Sequence, residues 1–434
     1  MNDRIGIALA VTVLATGAQA TPTAVAPPSG AGTPAALLLA QSPRPVARPE
    51  IVMTTTATTD QAGGGFGDWL AAYRIHAQQQ GIDGATLDRA LPGLSYDAEV
   101  IRRDRRQSEF TKTIWDYLDT AVSDARVANG RKAVAANART LAAIEAKYGV
   151  NRHIVAAIWG LESAYGSYRG TDSTLRSLAT LAYDSRRGAF FEEQLTEALR
   201  ILQSGAVAPE NLRGSWAGAM GHTQFMPTSW RDHAVDFDGD GRRDIWGDDP
   251  ADALASTAAY LKNHGWVSGQ PWGVEVVLPE GFDHRQADRR ILRTPAEWAA
   301  LGVLPPDGRT PDSDDAASVL LPAGGNGAAF MIFGNFEVLE SYNTADAYVI
   351  GVGHLADRIA GGPPIHGGWP RGDRALTYDE RIELQERLTS AGFDTVKIDG
   401  RIGPLTIDAV RAYQVATGLM PDGYASPRLL DSLR

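Results

Sequence analysis

Glu162 is the residue in this sequence best placed to move a proton. The stretch from Asn151 to Gly166 reads as a helix, with Asn151 a good N-cap and Gly166 fitting the position that ends it. At about 100° per residue, Ile154, Val155, Ile158 and Leu161 form one apolar stripe, and Glu162, four residues after Ile158, falls inside it. Burial among apolar side chains and the negative end of the helix dipole both disfavour the ionised carboxylate. A carboxylic acid kept protonated near neutral pH is what general-acid cleavage of a glycosidic bond requires. The residues alone equally allow a structural carboxylate, satisfied by a buried Arg or by backbone donors.

A second chemical signal lies between Asp236 and Asp252. Asp236, Asp238 and Asp240 alternate with small or apolar residues, Gly241 allows a sharp bend, and Asp244 follows, as in the first nine positions of an EF-hand loop. Position 12 is Gly247 instead of Glu, so the bidentate carboxylate must come from Asp248, Asp249 or Asp252. Seven carboxylates in this span, with Arg242 and Arg243 among them, repel one another without a cation. Donors that are all hard oxygens favour Ca²⁺, in a structural role.

The run Glu162-Ser163-Ala164-Tyr165-Gly166 resembles the E-S-x-x-G signature of lysozyme-like transglycosylases. Ser215 through Gln224 to Ser229 is similar to the second motif of the membrane-bound lytic transglycosylase B family. Asn335-Phe336 through Tyr342-Asn343 and Tyr348 resembles that family's third, aromatic and polar motif. The resemblance implies that Glu162 is the single catalytic acid/base. It would protonate the oxygen between N-acetylmuramic acid and N-acetylglucosamine, then accept the proton of the muramic C6 hydroxyl as a 1,6-anhydro ring closes. It also implies that Ser215, Gln224 and Asn343 hold sugar groups by hydrogen bonds, and that Tyr260, Tyr342 and Tyr348 line the cleft. Members of the family carry a calcium loop with a displaced last acid, which Asp252 matches, and Arg242 would give only its backbone carbonyl. Trp216 and Trp246 are read as lining or bracing the cleft, and His222 as a surface or cleft-edge residue.

Residues 377–434 resemble the peptidoglycan-binding domain 1 family, a small three-helix module. The match runs through Leu384-Gln385, Asp399-Gly400, Gly403 and Thr406, then Tyr413-Gln414 and Asp422-Gly423. The second Asp-Gly segment departs after Gly423, which predicts a differently shaped loop there. Such a module raises the local concentration of an enzyme on its polymer.

These motifs need a frame. Helical periodicity runs from Gly67 through Ile101–Tyr117, Leu141–Tyr148 and Ala253–His264, while 273–279 and 328–333 read as strands. The expected fold is mainly α (α+β): a lysozyme-like catalytic domain over 66–360 with a small β element, a linker over 361–376 and the three-helix module. Residues 1–20 read as a signal peptide, with an apolar run from Ile5 and an Ala18-Gln19-Ala20 cleavage site. The Pro/Ala/Thr segment 21–65 is too poor in large apolar residues to fold and reads as a tether. The mature chain is thus expected to be soluble and periplasmic, with no membrane span and with peptidoglycan and cell-wall enzyme complexes as partners.

Composition narrows the classes further. A net charge of −11 in 434 residues argues against nucleic acid as partner. With no Cys, thiol chemistry, disulfides and an N-terminal lipid anchor are excluded. Two other readings remain: a muramidase giving hydrated products from the same cleft, and a non-catalytic peptidoglycan-binding scaffold. The presence of Glu162, Ser215, Gln224 and Asn343 together weighs against the scaffold.

Overall fold

The computed structural model describes residues 64–109, 112–184 and 187–434. The signal-peptide reading and nearly all of the tether reading lie outside them. The first helix, Gly64–Gln79, begins just inside the stretch assigned to the tether.

The body is a stack of helices around the Glu162 helix, Arg152–Ser163, in which every residue from Ile154 to Leu161 is buried. An interior helix of this kind is apolar all round, so its stripe is less distinctive than the sequence suggests. The Tyr348 helix, Asp346–Ala360, packs along it, as do Asp124–Ala136, Ala138–Tyr148 and Ala251–Asn263. Leu141, Ile144, Ile158, Leu254, Val349 and Ile350 are solvent-free where these helices meet. The helical periodicity over Ile101–Tyr117 falls in two helices, Ala98–Glu109 and Ile114–Ala121. Thr113 caps the second by accepting the N–H of Asp116.

A small lobe is inserted between the Asp252 helix, Ala251–Asn263, and the Tyr348 helix. Three antiparallel strands lie in the order Gly273–Val276, Ala329–Ile332, Ser318–Leu320, with Val274 and Val319 both opposite Met331. The third strand, too short to show alternation, was not legible. Trp298 fills the lobe's own core and donates its indole N–H to Ala317 O at 2.9 Å.

The C-terminal module holds helices Tyr378–Ser390, Pro404–Thr417 and Pro427–Leu433 around Leu384, Leu388, Val410 and Leu430. Gln385 accepts the N–H groups of Asp399 and Gly400 (3.0 and 2.8 Å). Gln414 does the same for Gly423 (2.9 Å) and donates to Asp422 (2.7 Å). The second Asp-Gly loop therefore keeps the clamp of the first, despite its divergent sequence. The module docks on the strand lobe through Arg290 with Asp408 (2.7 Å) and Arg411 with Asp288 (3.0 Å). The Gly- and Pro-rich stretch read as a linker lies pinned on the body. Arg371 forms a two-pronged pair with Asp119 (2.7 and 3.0 Å), and Glu275 accepts the N–H of His366 (2.8 Å).

Candidate active site

The Glu162 helix starts where expected, with the Asn151 side chain accepting the N–H of His153 at 2.8 Å. Its end differs: Ala164, Tyr165 and Gly166 take φ of 49°, 59° and 81°, three left-handed residues in a row. Two of these are not glycine, so the turn after Glu162 carries backbone strain. It is held by Ser163, whose hydroxyl donates to His222 O (2.5 Å) and accepts the N–H of Gly166 (2.9 Å). A Cβ on Gly166 would meet His222 Nδ1 at 2.6 Å. Ser and Gly of the signature thus build the turn that aims Glu162.

Glu162 is half-buried, and Tyr348 donates to its Oε1 at 2.6 Å. Burial pushes its carboxyl up to about 7, and the phenol's hydrogen bond opposes that only in part. Among the described residues, no other carboxylate and no cation perturbs it. Its nearest ionisable company is phenolic: Tyr117, Tyr342 and Tyr348 are all raised by burial first and by the Glu162 charge second.

The expected binding residues divide into two kinds. Tyr348 touches Glu162, and Tyr342 packs beside it with its hydroxyl donating to Thr223 O at 2.6 Å. Tyr260 is buried, stacked on His264 with ring centroids 4.1 Å apart, and donates to Ser341 O at 2.5 Å. It braces the Tyr342 helix, Gly334–Tyr342, from behind, because its hydroxyl is already committed to that helix. Asn343 caps that helix, is buried, and accepts the N–H of Ala345 at 3.1 Å.

Ser215 and Gln224 sit on the loop that pairs back on itself through Met220 and Phe225. Ser215 Oγ accepts the N–H of Ala219 (3.1 Å) and of Ala217 (3.3 Å), so its hydroxyl hydrogen can still donate. Gln224 has φ of 55° and donates its amide to Gly221 O (2.8 Å) and Arg169 O (3.1 Å). Its side-chain oxygen is the atom left to meet a ligand.

His222 corrects the surface or cleft-edge reading, since it is 3% exposed. Its Nδ1 accepts from the Trp159 indole (3.1 Å), and its Nε2 donates to Gly247 O (2.7 Å). Burial holds its pKa down, so it is a neutral strut.

In the acidic loop, one carboxylate oxygen each from Asp236, Asp238 and Asp240 lies within 4.8 Å of the others. An all-oxygen set of like charges at that spacing fits a hard divalent cation. Asp252 stands apart from this trio. It is 4% exposed, and its oxygens accept the N–H groups of Phe237 (2.7 Å) and Asp244 (2.9 Å). Arg242 gives its backbone N–H to Asp240 at 2.8 Å.

Arg169, with no motif to announce it, joins the two sites. Its guanidinium donates to Trp246 O (2.7 Å) and Gly247 O and meets Asp248 at 3.2 Å, while its own carbonyl holds Gln224. Trp246 packs near Trp230 beside the acidic loop (centroids 6.3 Å apart), while Trp216 is half-buried on the loop with Ser215. Tyr117 was missed as well, because it comes from a helix 45 residues before Glu162 with no pattern of its own.

A raised, half-buried carboxylic acid among tyrosines, at the end of a central helix, defines a lysozyme-like site. Residues 65–357 match the Transglycosylase SLT domain family, and residues 377–433 match the peptidoglycan binding domain family. The chain belongs to the SLT transglycosylase family. It is 49% identical to SltB3 from Pseudomonas aeruginosa, solved in complex with NAG-anhNAM-pentapeptide. That match covers 86% of this chain and all of the other, with a TM-score of 0.83. It is 35% identical over 220 residues to the membrane-bound lytic murein transglycosylase B of Escherichia coli (strain K12). That alignment covers 49% of this chain and 58% of the relative. The Escherichia coli lytic transglycosylase SLT35, solved in complex with calcium, is 29% identical with a TM-score of 0.57. It covers 69% of this chain and 93% of its own.

Proposed function

We propose that this protein is a lytic transglycosylase that cleaves the MurNAc–GlcNAc β-1,4 bond of peptidoglycan and leaves 1,6-anhydroMurNAc ends. The observation that carries this reading is Glu162, an acid with its carboxyl raised to about 7 and no partner carboxylate among the described residues. Protonated Glu162 gives its proton to the bridging oxygen as the bond from muramic C1 breaks, and the GlcNAc-containing strand leaves as an alcohol. The ionised carboxylate then takes the proton of the C6 hydroxyl as that oxygen bonds to C1. Glu162 is returned to its starting state and no water is consumed. The substrate's 2-acetamido group stabilises the cationic centre between the two steps, in place of the second carboxylate of other glycosidases. Ser215, Gln224 and Asn343 orient sugar polar groups, and Tyr342 and Tyr348 present apolar faces with polar tips. The similarity to a structure holding an anhydro product supports this choice.

Ca²⁺ bound by Asp236, Asp238, Asp240 and the Arg242 carbonyl would brace the loop that Arg169 ties to Gln224, with Asp252 supporting that loop through the N–H groups of Phe237 and Asp244 instead of reaching the ion. The calcium complex of SLT35 supports that assignment. A peptidoglycan substrate supports a periplasmic location for the protein, and among the described residues no helix is long and apolar enough to cross a membrane. The test is turbidity clearance of purified sacculi. Wild type should clear them. Glu162→Gln, with an unchanged circular dichroism spectrum, should be slower by about a thousandfold or more. Equal clearance by the two proteins would reject the assignment.

A further inference from the structure

Tyr168 follows the turn behind Glu162 and is 57% exposed. Among the described residues, the other exposed aromatic side chain is Tyr378, and the Arg381 guanidinium lies over its ring at 5.7 Å. Tyr168 has no ring partner, no cation and no hydrogen bond to its hydroxyl among the described residues. A single exposed apolar side chain is ordinary on a protein surface, so exposure by itself carries nothing. The placement of this ring carries more.

The segment from Gly166 to Gly170 is tied at both ends to groups assigned to glycan cleavage. At one end Tyr168 donates its backbone N–H to Ser163 O at 2.9 Å, and Ser163 directly follows Glu162. The Ser167 hydroxyl donates to Ala164 O at 2.8 Å and tightens the same turn. At the other end the Arg169 carbonyl accepts the Gln224 amide at 3.1 Å. Gly170, with φ of 86°, lies so close to the Ser215 loop that a Cβ would meet the Gly214 carbonyl and reach within 2.7 Å of Ser215 N. Just beyond it, Asp172 and Ser173 pair with Gly214 and Arg213. The backbone of Tyr168 is therefore fixed close in the fold to the acid, to Ser215 and to Gln224 at once.

A ring left in water adds nothing to the core, so packing does not account for an aromatic at this position. A pyranose ring has a face of C–H groups and a polar edge, which matches a phenol with an apolar face and a polar tip. Because the segment is already ordered, little freedom is lost when a sugar settles on it. The Glu162 carboxyl is shifted by burial and by Tyr348, and Tyr168 does not contribute.

We infer that Tyr168 is a substrate-binding residue whose ring face carries a sugar ring of the glycan strand beside the point of cleavage. The identity of the polymer rests on the peptidoglycan reading above, whereas the contact rests on where Tyr168 is held. Its part is to hold the strand, separate from the proton transfers of Glu162.

Initial rates on an octasaccharide of alternating GlcNAc and MurNAc units test this with the full mature chain. Tyr168→Ala should raise KM about fivefold or more, while kcat and the alkaline limb of the pH–rate profile stay as in wild type. Tyr168→Phe keeps the ring face and should match wild type. Calorimetric titration of the same octasaccharide into Glu162→Gln and into Glu162→Gln/Tyr168→Ala should show the same loss of affinity. That comparison needs no turnover, so it decides the role of Tyr168 even if the chain proves not to cleave glycan. Unchanged KM and affinity in Tyr168→Ala, or a Tyr168→Phe as impaired as Tyr168→Ala, would overturn the inference. So would a loss confined to kcat, which marks a structural effect on the turn, or an octasaccharide that is neither cleaved nor bound.

Discussion

The hydroxyl of Tyr348 donates a 2.6 Å hydrogen bond to Oε1 of Glu162, joining side chains 186 positions apart in sequence. This contact ties the aromatic motif to the acid. It favours the ionised carboxylate while burial disfavours it, and burial is the larger influence. Removing the phenol should therefore push the Glu162 carboxyl further up. In Tyr348→Phe the alkaline limb of the pH–rate profile, which reports loss of the general acid, should move to higher pH. Turnover should fall by roughly tenfold or more through lost orientation. A limb that stays in place would show that Tyr348 does not set the acid.

Stability should follow the same carboxyl. Its folded pKa of about 7 exceeds the ordinary 4.5, so its contribution is fully present below about 4.5 and is lost as pH rises through about 7. Glu162→Gln removes the ionisable group, and the variant should be more stable than wild type at pH 8 by on the order of 1–3 kcal/mol. Below pH 4 the difference should shrink towards zero. Paired urea melts at the two pH values measure this, and a gap that grew on acidification would reverse the assigned sign.

Gly166 permits the strained turn behind the acid. Gly166→Ala must place a Cβ 2.6 Å from His222 Nδ1 at a φ of 81°, so it should destabilise the fold by about 2 kcal/mol or more. Thermal melting reads the loss directly. A variant melting with wild type would mean that the turn relaxes freely.

The Asp236, Asp238 and Asp240 trio predicts stabilisation by calcium. Ca²⁺ at roughly a hundredfold excess over its Kd should add about 2–3 kcal/mol, chelator should remove that gain, and Asp240→Asn should lose most of it. Melting in EDTA against Ca²⁺, repeated with Mg²⁺, checks both the site and its preference. Identical curves in all three would leave the loop as an acidic turn.

Much of this protein is legible in its sequence where a local rule decides. Asn151 announced the start of the Glu162 helix through N-cap chemistry, and the spacing of Asp236, Asp238 and Asp240 announced a loop whose carboxylates converge. Illegible features are those decided by tertiary packing. His222 looks like a surface residue until the Trp159 indole and Gly247 carbonyl bury it, and Tyr260 looks like a cleft wall until its hydroxyl is traced to Ser341 O. Arg169 has no motif, since its role is fixed by carbonyls 77 and 78 residues away. The Pro363–Pro364 stretch has the composition of a linker, but Glu275 clamps the backbone just beyond it.

The most direct measurement is mass analysis of the muropeptides released from purified peptidoglycan by wild type and by Glu162→Gln. A lone acid that serves first as proton donor and then as acceptor predicts products lighter by one water than those of a hydrolase, and none from the variant. Hydrated products from wild type would contradict it and make the protein a muramidase. Binding to sacculi without any release would leave a scaffold.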